Sequence, residues 1–248
     1  MNIFILAAGL GTRLKPLTDT MPKALVPVGG RPLLQILIEK IKRECNDPEI
    51  VINIHHFAEQ IVSFVEAHQG FGLPVSFSDE RKLLLETGGG LKQAAPLFNN
   101  HAPILIHNVD ILSNVDLGAF YQQHAGDPDV AATLIVSQRQ TKRYLLFDDD
   151  NRLVGWTNIE TGEVRSPYPD LDVERCRKYA FSGIHIVSKS LIELMDKWEG
   201  KFPIIDFYLS VCHRVVIRAD VRRDLQLLDV GKLDSLTQAE AMVQNNLL

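Results

Sequence analysis

The sequence predicts an α/β fold built on a doubly wound, mainly parallel sheet that carries a small β insertion. In the first half, short apolar runs alternate with stretches whose apolar spacing is that of amphipathic helices. A glycine loop follows the first apolar run directly, as it does in strand–loop–helix units. In the second half, two short apolar runs flank the turn at residues 148–151, which favours a hairpin inserted into the sheet.

The predicted elements of the first half follow from two periodicities. Apolar residues three or four apart predict amphipathic helices at residues 33–41, 58–67 and 91–97. Pro32 stands where the first of these begins, because its fixed backbone angle suits the first helical turn. Continuous apolar runs bounded by turn residues predict buried strands at residues 3–8, 49–54, 74–77 and 103–107.

The second half is richer in strands. The same criteria predict helices at residues 204–212 and at about 232–243. No repeat, low-complexity tract or linker interrupts the chain, so we expect a single domain over residues 1–248. The strands predicted in this half lie at residues 130–136, 144–147, 153–156, 179–187, 215–217 and 225–228.

Composition excludes several classes of function. The chain has 26 Lys and Arg against 31 Asp and Glu, and this net charge of −5 makes a broad nucleic-acid or membrane surface unexpected. No apolar run approaches the length that spans a membrane, and no charged-then-apolar leader precedes the first strand. We therefore expect a soluble, cytoplasmic protein whose three cysteines are free thiols. The residue pattern carries no signal for an oligomeric state.

The stretch from Gly9 to Lys23 predicts a phosphate-binding loop. A dinucleotide-binding fingerprint needs a small residue where this chain has Leu14, and a Walker A loop needs a Gly-Lys-Ser/Thr sequence that is absent. There remains a loop whose backbone N–H groups cradle phosphate oxygens. Arg13 can bind outer phosphates bidentately, while Lys23 adds a compact positive charge. The alternative is an ordinary strand-to-helix turn with exposed basic residues.

The same stretch carries a resemblance to a known family. Its pattern, Gly-x-Gly-Thr-Arg-x-x-Pro-x-Thr continuing to Pro-Lys, resembles the signature of the sugar-1-phosphate nucleotidyltransferases, and every position is present. The resemblance extends over nearly the whole chain and implies a Rossmann-like nucleotidyltransferase fold. It implies a nucleotide-binding half at about residues 1–128 and, at about 129–248, a sugar-binding half with a C-terminal helix.

The resemblance also implies site residues. Residues 85–90 resemble the second nucleotide-contacting segment of the family, and residues 181–184 resemble its sugar-side strand. The sugar ligands implied are Ser182 and Gly183, and the ligands implied for Mg²⁺ are Asp110 and Asp229. The residues implied in nucleotide binding are Ala8, Gly9, Gly11, Thr12, Arg13, Gly88 and Asn108.

The two aspartates also attract attention by their positions alone. Asp110 and Asp229 each follow an apolar strand, so each is expected at a carboxyl end, where open α/β sheets bind ligands. Mg²⁺ prefers few carboxylates together with phosphate and water oxygens. Either residue alone would more often be a helix cap or a turn residue. Val109 replaces the family glycine before Asp110, so its side chain has to point away from the ligand.

The reaction implied is nucleotidyl transfer from a nucleoside triphosphate to a sugar 1-phosphate, with release of pyrophosphate. The attacking phosphate is already anionic at neutral pH, so no general base is required, and alignment and charge neutralisation carry the catalysis. We expect Arg13 to bind the departing phosphates and Lys23 to bridge the α-phosphate and the sugar phosphate. These two are the predicted catalytic residues.

The substrates are read from finer features. The sequence resembles members that join UTP to N-acetylmuramate 1-phosphate, partly because residues 153–158 lack the Glu-Lys-Pro of many other members. Mannose- or heptose-1-phosphate guanylyltransferase is the alternative, since Asp79 or Glu80 could accept hydrogen bonds from guanine. A third possibility is a non-catalytic regulatory protein that binds sugar nucleotides. It predicts the loss of Lys23 or of one metal acid, and none of these is lost.

Overall fold

The computed structural model describes residues 1–244 and has an α/β architecture. None of the helices in this range is both long and apolar enough to cross a membrane. The α-helices are α1 (Leu33–Glu44), α2 (Ala58–Ala67), α3 (Glu86–Ala94), α4 (Leu117–Ala125), α5 (Lys189–Glu193), α6 (Ile204–Val211) and α7 (Asp234–Gln244). The strands are β1 (Asn2–Leu6), β2 (Pro27–Val28), β3 (Arg31–Pro32), β4 (Glu49–Ile54), β5 (Val75–Asp79), β6 (Ile104–Asn108), β7 (Ile111–Ser113), β8 (Val130–Ser137), β9 (Arg143–Phe147), β10 (Leu153–Asn158), β11 (Glu163–Arg165), β12 (Arg177–Val187), β13 (Val216–Val221) and β14 (Leu227–Asp229).

Ten of these strands form one sheet. Its main path runs β11-β10-β9-β12-β6-β1-β4-β5, and β8 and β13 continue from β12. The central strands β6, β1, β4 and β5 are parallel to one another, whereas β12 is antiparallel to its neighbours β6, β8 and β9. The predicted hairpin is present as β9 and β10, and β11 extends it by one antiparallel strand. The parallel centre therefore belongs to the first half and the β insertion to the second.

The sheet is covered on both faces, as a doubly wound fold requires. Along β1, Ile3 and Ile5 pack into one apolar cluster with residues of α1, α2 and α4, while Phe4 packs into another with residues of α3 and α6. These three side chains are fully buried. Because successive residues of a strand point to opposite faces, a strand buried on both faces is continuously apolar, which is the pattern the sequence shows.

Helix α3 begins five residues earlier than predicted. The prediction missed this part of the helix because it contains three successive glycines. Glycine disfavours helix, so the sequence suggested a loop there. A Cβ atom at Gly88 would lie 2.4 Å from the Phe202 ring, and one at Gly89 would lie 2.3 Å from the Gly200 carbonyl oxygen. The glycines therefore allow the helix backbone to approach the segment before α6 closely.

Helix α4 was not predicted, since its nine residues mix apolar, polar and glycine positions. Asp116 caps it, accepting a hydrogen bond from the Ala119 backbone N–H at 2.8 Å. A Cβ atom at Gly118 would lie 2.2 Å from the carbonyl oxygen of Glu44, at the end of α1. Packing against α1, rather than local propensity, explains the glycine in this helix.

Candidate active site

The glycine loop leaves the carboxyl end of β1 and is anchored by a buried side-chain relay. The backbone N–H groups of Ala7 and Ala8 donate to Asn53 Oδ1 over 2.6 and 3.1 Å. Asn53 Nδ2 donates to Glu80 Oε1 over 2.8 Å, and the Leu85 N–H donates to Glu80 Oε2 over 2.9 Å. One buried carboxylate thus fixes both the glycine loop and the segment that leads into α3.

The two glycines of the loop have different physical roles. Gly11 has a left-handed backbone (φ +63°), and a Cβ atom there would lie 2.9 Å from Thr18 Cγ2. Thr18 also donates its hydroxyl to the Gly11 carbonyl over 2.8 Å, which explains this threonine of the motif. Gly9, by contrast, has no atom within 4 Å of its Cβ position. A missing side chain beside open space leaves room for a ligand.

The loop borders a cleft of about 600 Å³ at the carboxyl ends of β1 and β6. Asn53, Leu84, Glu86 and Thr87 add to its wall. Within residues 9–11, which border the cleft, no backbone N–H donates to an acceptor in the described part of the chain. The predicted site residues that line it are Ala8, Gly9, Gly11, Thr12, Arg13, Lys23, Asn108 and Asp110.

A short ladder outside the main sheet brings the two predicted metal acids together. Asp110 follows β6 in the turn before β7, and Asp229 is the last residue of β14. Strands β7 and β14 pair antiparallel, with Asp229 opposite Ile111. The Val230 N–H donates to the Asp110 carbonyl over 2.8 Å. Two acids distant in sequence therefore lie beside each other.

Basic side chains surround this acid pair. The Lys23 ammonium is hydrogen-bonded to Asp110 Oδ2, and this ion pair is largely shielded from solvent. A Cβ atom at Gly231 would lie 2.6 Å from Asp229 Oδ1 and 2.8 Å from Arg13 Nη2. Arg13 and Asp229 thus both approach the backbone at Gly231, and a side chain there would have to displace their ends. Leu14 and Val230, their chain neighbours, share one buried apolar cluster that includes Ala239 of α7.

The pKa of Asp229 is raised, first because the protein around it removes water and next because of the negative charge of Asp110. The charges of Lys23, Arg13 and Arg139 oppose this shift. Asp229 is nevertheless exposed, and it borders a second cleft next to the first. Asp229 is accessible while Asp110 is largely shielded, and the repulsion between these two carboxylates is an electrostatic setting that favours a divalent cation.

The donor set is compatible with Mg²⁺ bound partly by a substrate. Among residues 1–244 no group of three or more His, Cys, Asp or Glu side chains is arranged to hold a metal ion. Two carboxylates with open space between the acids and the loop match the preference of Mg²⁺ for one or two protein carboxylates plus phosphate oxygens. The residues present therefore fit a metal that arrives with a nucleotide.

Four predicted site residues do not line this cleft: Asp229 borders a neighbouring one, and the other three are Gly88, Ser182 and Gly183. Gly88 donates its N–H to the Phe202 carbonyl over 2.9 Å, so this amide is already occupied. Ser182 is buried and accepts from the Ile184 N–H over 3.1 Å. Gly183 has φ +80°, and a Cβ atom there would lie 2.7 Å from Asn108 Nδ2. Gly88 and Gly183 therefore permit close packing around the site, and their contacts show no ligand-facing group.

The burial of Glu80 and of Val109 bears on two points that the sequence left open: which acid could read guanine, and how a valine fits before Asp110. Glu80 is 2% exposed and both its oxygens accept protein hydrogen bonds, whereas Asp79 is exposed and paired with Arg81. Burial raises the pKa of Glu80, and the hydrogen bonds from Leu85 and Asn53 oppose the shift. Val109 is 3% exposed and packs in the same apolar cluster as Ile111. Val109 also borders the cleft, so this apolar cluster reaches the cleft wall beside Asp110.

Two further clefts open beside the first, and the sequence analysis assigned site roles only to Arg13 and Asp229 among the residues that border them. One, of about 920 Å³, shares Arg13 and Gly231 with the first cleft and contains Asp229. The other, of about 590 Å³, lies over the β9–β10–β11 hairpin and is bordered by Arg139 and Arg143. Alternation along the strands could have identified this cleft from the sequence. Arg143 and Leu145 are two residues apart on β9, as Trp156 and Asn158 are on β10, so each pair shares a face of the sheet.

Comparison with known proteins identifies the family. The model of the nucleotidyl transferase family matches residues 3–246. The chain belongs to that family. Among curated relatives, an N-acetylmuramate alpha-1-phosphate uridylyltransferase of Caulobacter vibrioides is 37% identical over 210 residues, covering 82% of this chain and 81% of that protein. A UTP–glucose-1-phosphate uridylyltransferase of Synechocystis is 32% identical and covers 96% of this chain and 62% of its own length.

Solved structures share the fold. A Bacillus anthracis protein assigned to the glucose-1-phosphate thymidylyltransferases superimposes with a TM-score of 0.81 at 19% identity, covering 99% of this chain and 96% of its own. An inositol-1-phosphate CTP transferase of T. maritima gives a TM-score of 0.73 at 12% identity, covering 100% and 97%. The solved structures therefore confirm the Rossmann-like fold that the family resemblance implied. The family match and the Caulobacter relative identify the chain as a sugar-1-phosphate nucleotidyltransferase.

Proposed function

We propose that this nucleotidyltransferase joins UTP to N-acetylmuramate 1-phosphate, giving a UDP-sugar and pyrophosphate. The observation that carries the chemistry is the convergence of the glycine loop, Lys23 and the pair Asp110–Asp229 on adjoining clefts. The choice of substrates rests on the Caulobacter relative, which matches most of both chains. The unpaired amides of residues 9–11 would hold the triphosphate, with Arg13 on the departing phosphates.

We assign the nucleotide to the cleft of the first half and the sugar to the clefts of the second. Lys23 stands between the loop and Asp110, so its ammonium can bridge the α-phosphate and the incoming sugar phosphate. Asp110 and Asp229 would hold Mg²⁺. When bound, this ion neutralises charge on two polyanions that must approach each other. The protein's own contribution is alignment of the attacking phosphate oxygen with the α-phosphorus.

The guanylyltransferase alternative loses its supporting residue. Glu80 was the buried candidate for reading guanine, but its carboxylate is committed to Asn53 and the Leu85 N–H and does not border the cleft. Asp79 is held by Arg81. The choice of UTP in our proposal therefore rests on the similar uridylyltransferases.

A substrate panel tests the proposal directly. The protein is mixed with Mg²⁺, one of UTP, GTP, CTP or dTTP, and N-acetylmuramate, glucose or mannose 1-phosphate, and pyrophosphate release is followed. We expect the highest kcat/KM with UTP and N-acetylmuramate 1-phosphate. Asp110→Asn should remove most turnover while retaining the fold, whereas Asp129→Asn, at an exposed acid before β8 that borders none of the three clefts, should not. Preference for another pair, or near-normal turnover by Asp110→Asn, would refute the corresponding part.

A further inference from the structure

One face of the β insertion forms the wall of the third cleft. In the antiparallel register, Arg143 lies opposite Asn158 and Leu145 opposite Trp156, and Trp156 in turn lies opposite Arg165. Side chains opposite each other, and those two residues apart, share a face of the sheet. All five residues border this cleft, which continues to Phe181 and to Pro203 before α6. The face combines an apolar centre with cationic ends.

The cations on this wall differ in how their charge is compensated. Arg165 lies over the Trp156 ring at 4.1 Å and pairs with Asp206 at 2.6 Å. Arg139 donates to the Phe181 carbonyl over 3.2 Å. The Arg143 guanidinium has neither an acidic nor a hydrogen-bonding partner anywhere in the described chain, residues 1–244. Two arginines without a carboxylate partner therefore face one cleft in a protein whose net charge is −5.

Arg139 and Arg143 also border the second cleft, which contains Asp229. A sugar 1-phosphate whose phosphate lies beside the acid pair would therefore direct its ring along the β insertion, towards these arginines. A neutral sugar would give neither of these exposed guanidinium groups a charged partner. An arginine fork matches the geometry of a carboxylate, and a hydrogen bond between charged groups is stronger than one between neutral groups.

We infer that Arg143, assisted by Arg139, selects acceptors that carry a second anionic group, a carboxylate on the sugar ring, in addition to the 1-phosphate. This inference rests on the proposed function and deepens it, since N-acetylmuramate differs from N-acetylglucosamine by a lactyl ether that ends in a carboxylate. Arg143 is then a specificity residue that contacts the acceptor away from the reacting phosphate.

The test compares acceptors that differ in that carboxylate. N-acetylmuramate 1-phosphate is paired with its methyl ester and with N-acetylglucosamine 1-phosphate, and glucuronate 1-phosphate with glucose 1-phosphate. Arg143→Gln should lower kcat/KM for the acids at least about tenfold, through KM, and leave the ester and the neutral sugars nearly unchanged. Arg177→Gln is the matched control. Arg177 lies on β12, borders none of the three clefts and donates to Asn151.

The outcomes separate the two hypotheses. If the wild-type protein turns over sugar phosphates but Arg143→Gln lowers acid and neutral acceptors equally, or lowers neither, the inference is wrong and the proposed reaction stands. A wild-type protein that uses neutral acceptors as well as acidic ones also contradicts the inference. If no acceptor gives pyrophosphate with any triphosphate, the proposed function fails, and the inference that depends on it fails too.

Discussion

The backbone N–H of Val230 donates to the carbonyl oxygen of Asp110 over 2.8 Å, and this hydrogen bond joins the segments that carry the two acids of the site. Val230 is fully buried beside Leu14, which follows Arg13 in the glycine loop. One apolar cluster therefore fixes the relative positions of an acid, an arginine and the phosphate-binding amides. The catalytic geometry depends on packing in which no reacting group takes part.

Substitution of Gly183 should disturb the packing beside Asn108, and this effect can be distinguished from the cost of the backbone angle. An alanine there has a strained left-handed backbone and a Cβ atom 2.7 Å from Asn108 Nδ2. We expect Gly183→Ala to lower the free energy of unfolding by about 2 kcal/mol and to raise the KM for the triphosphate. Gly162→Ala is the control, since it has φ +72° but no atom within 4 Å, so it isolates the cost of the backbone angle. Equal effects in urea unfolding and kinetics would contradict the contact with Asn108.

Alanine substitution at the two loop glycines should have different effects: at Gly9 it should alter substrate binding, and at Gly11 it should lower stability. Gly9→Ala places a methyl group in open space, so the free energy of unfolding should be unchanged or slightly higher, while the KM for the triphosphate rises. Gly11→Ala should destabilise the fold, because it combines a positive φ with a 2.9 Å contact to Thr18. Thermal unfolding and initial rates measured on both variants decide the matter. An unaltered KM in Gly9→Ala would argue against phosphate binding above that residue.

The Lys23 ammonium and a metal ion should compete for the carboxylate of Asp110. Its ammonium binds Asp110 Oδ2 in the free protein, where it compensates one carboxylate of the proposed metal pair. Lys23→Met should therefore bind Mg²⁺ more tightly in the absence of nucleotide, because the acids then lack that cation, and should lose most turnover. Calorimetric titration with Mg²⁺ measures the first effect and pyrophosphate release the second. Lys15→Met, at an exposed lysine paired with Asp19, should show neither.

Three buried histidines predict a loss of stability in acid. Burial lowers the pKa of His107 and His124 to about 4 and that of His185 to about 3. In the unfolded chain these groups titrate near pH 6.5, so the unfolded state binds more protons below that pH. Their stabilisation is complete above about pH 6.5 and falls towards pH 4, with a slope of up to about 1.4 kcal/mol per pH unit for each histidine.

Urea unfolding at a series of pH values between these limits measures the slope. His124→Gln should reduce it, because one group with a lowered pKa is removed, although the variant also loses the contact between His124 Nδ1 and Thr133 Oγ1 (2.8 Å). His213→Gln alters an exposed histidine and should leave the slope unchanged. Identical slopes in the two variants would show that buried histidines do not govern the acid limb.

Much of the fold was predictable because its information is local. The apolar runs of β4 and β6 and the spacing of α1 and α2 appear near the expected positions. The beginning of α3 was not predictable, since its glycines are explained by Phe202 and Gly200, which are distant in sequence. The same holds for β7, a three-residue strand whose only partner is β14.

The site divides in the same way. The glycine loop and Asp110 were recognisable from sequence, because a strand followed by glycines or an acid is a local pattern. The relay from Asn53 to Glu80 was not, since it links residues of separate strands and Glu80 resembles an ordinary loop acid. Arg143 was missed for a related reason. Its significance depends on the register with Asn158 and on having no acidic partner among the described residues.

The ladder of β7 and β14 has a dynamic consequence. Three residue pairs hold it, and it lies outside the ten-stranded sheet to which β6 belongs. Segments with few pairings open at lower free energy than the core, so amide hydrogen exchange should be faster in β14 than in β6. Opening of this ladder would leave the central sheet intact. If Asp229 takes part in binding nucleotide and Mg²⁺, as proposed, adding both should slow exchange in β14, because a ligand that binds the native state stabilises it against opening.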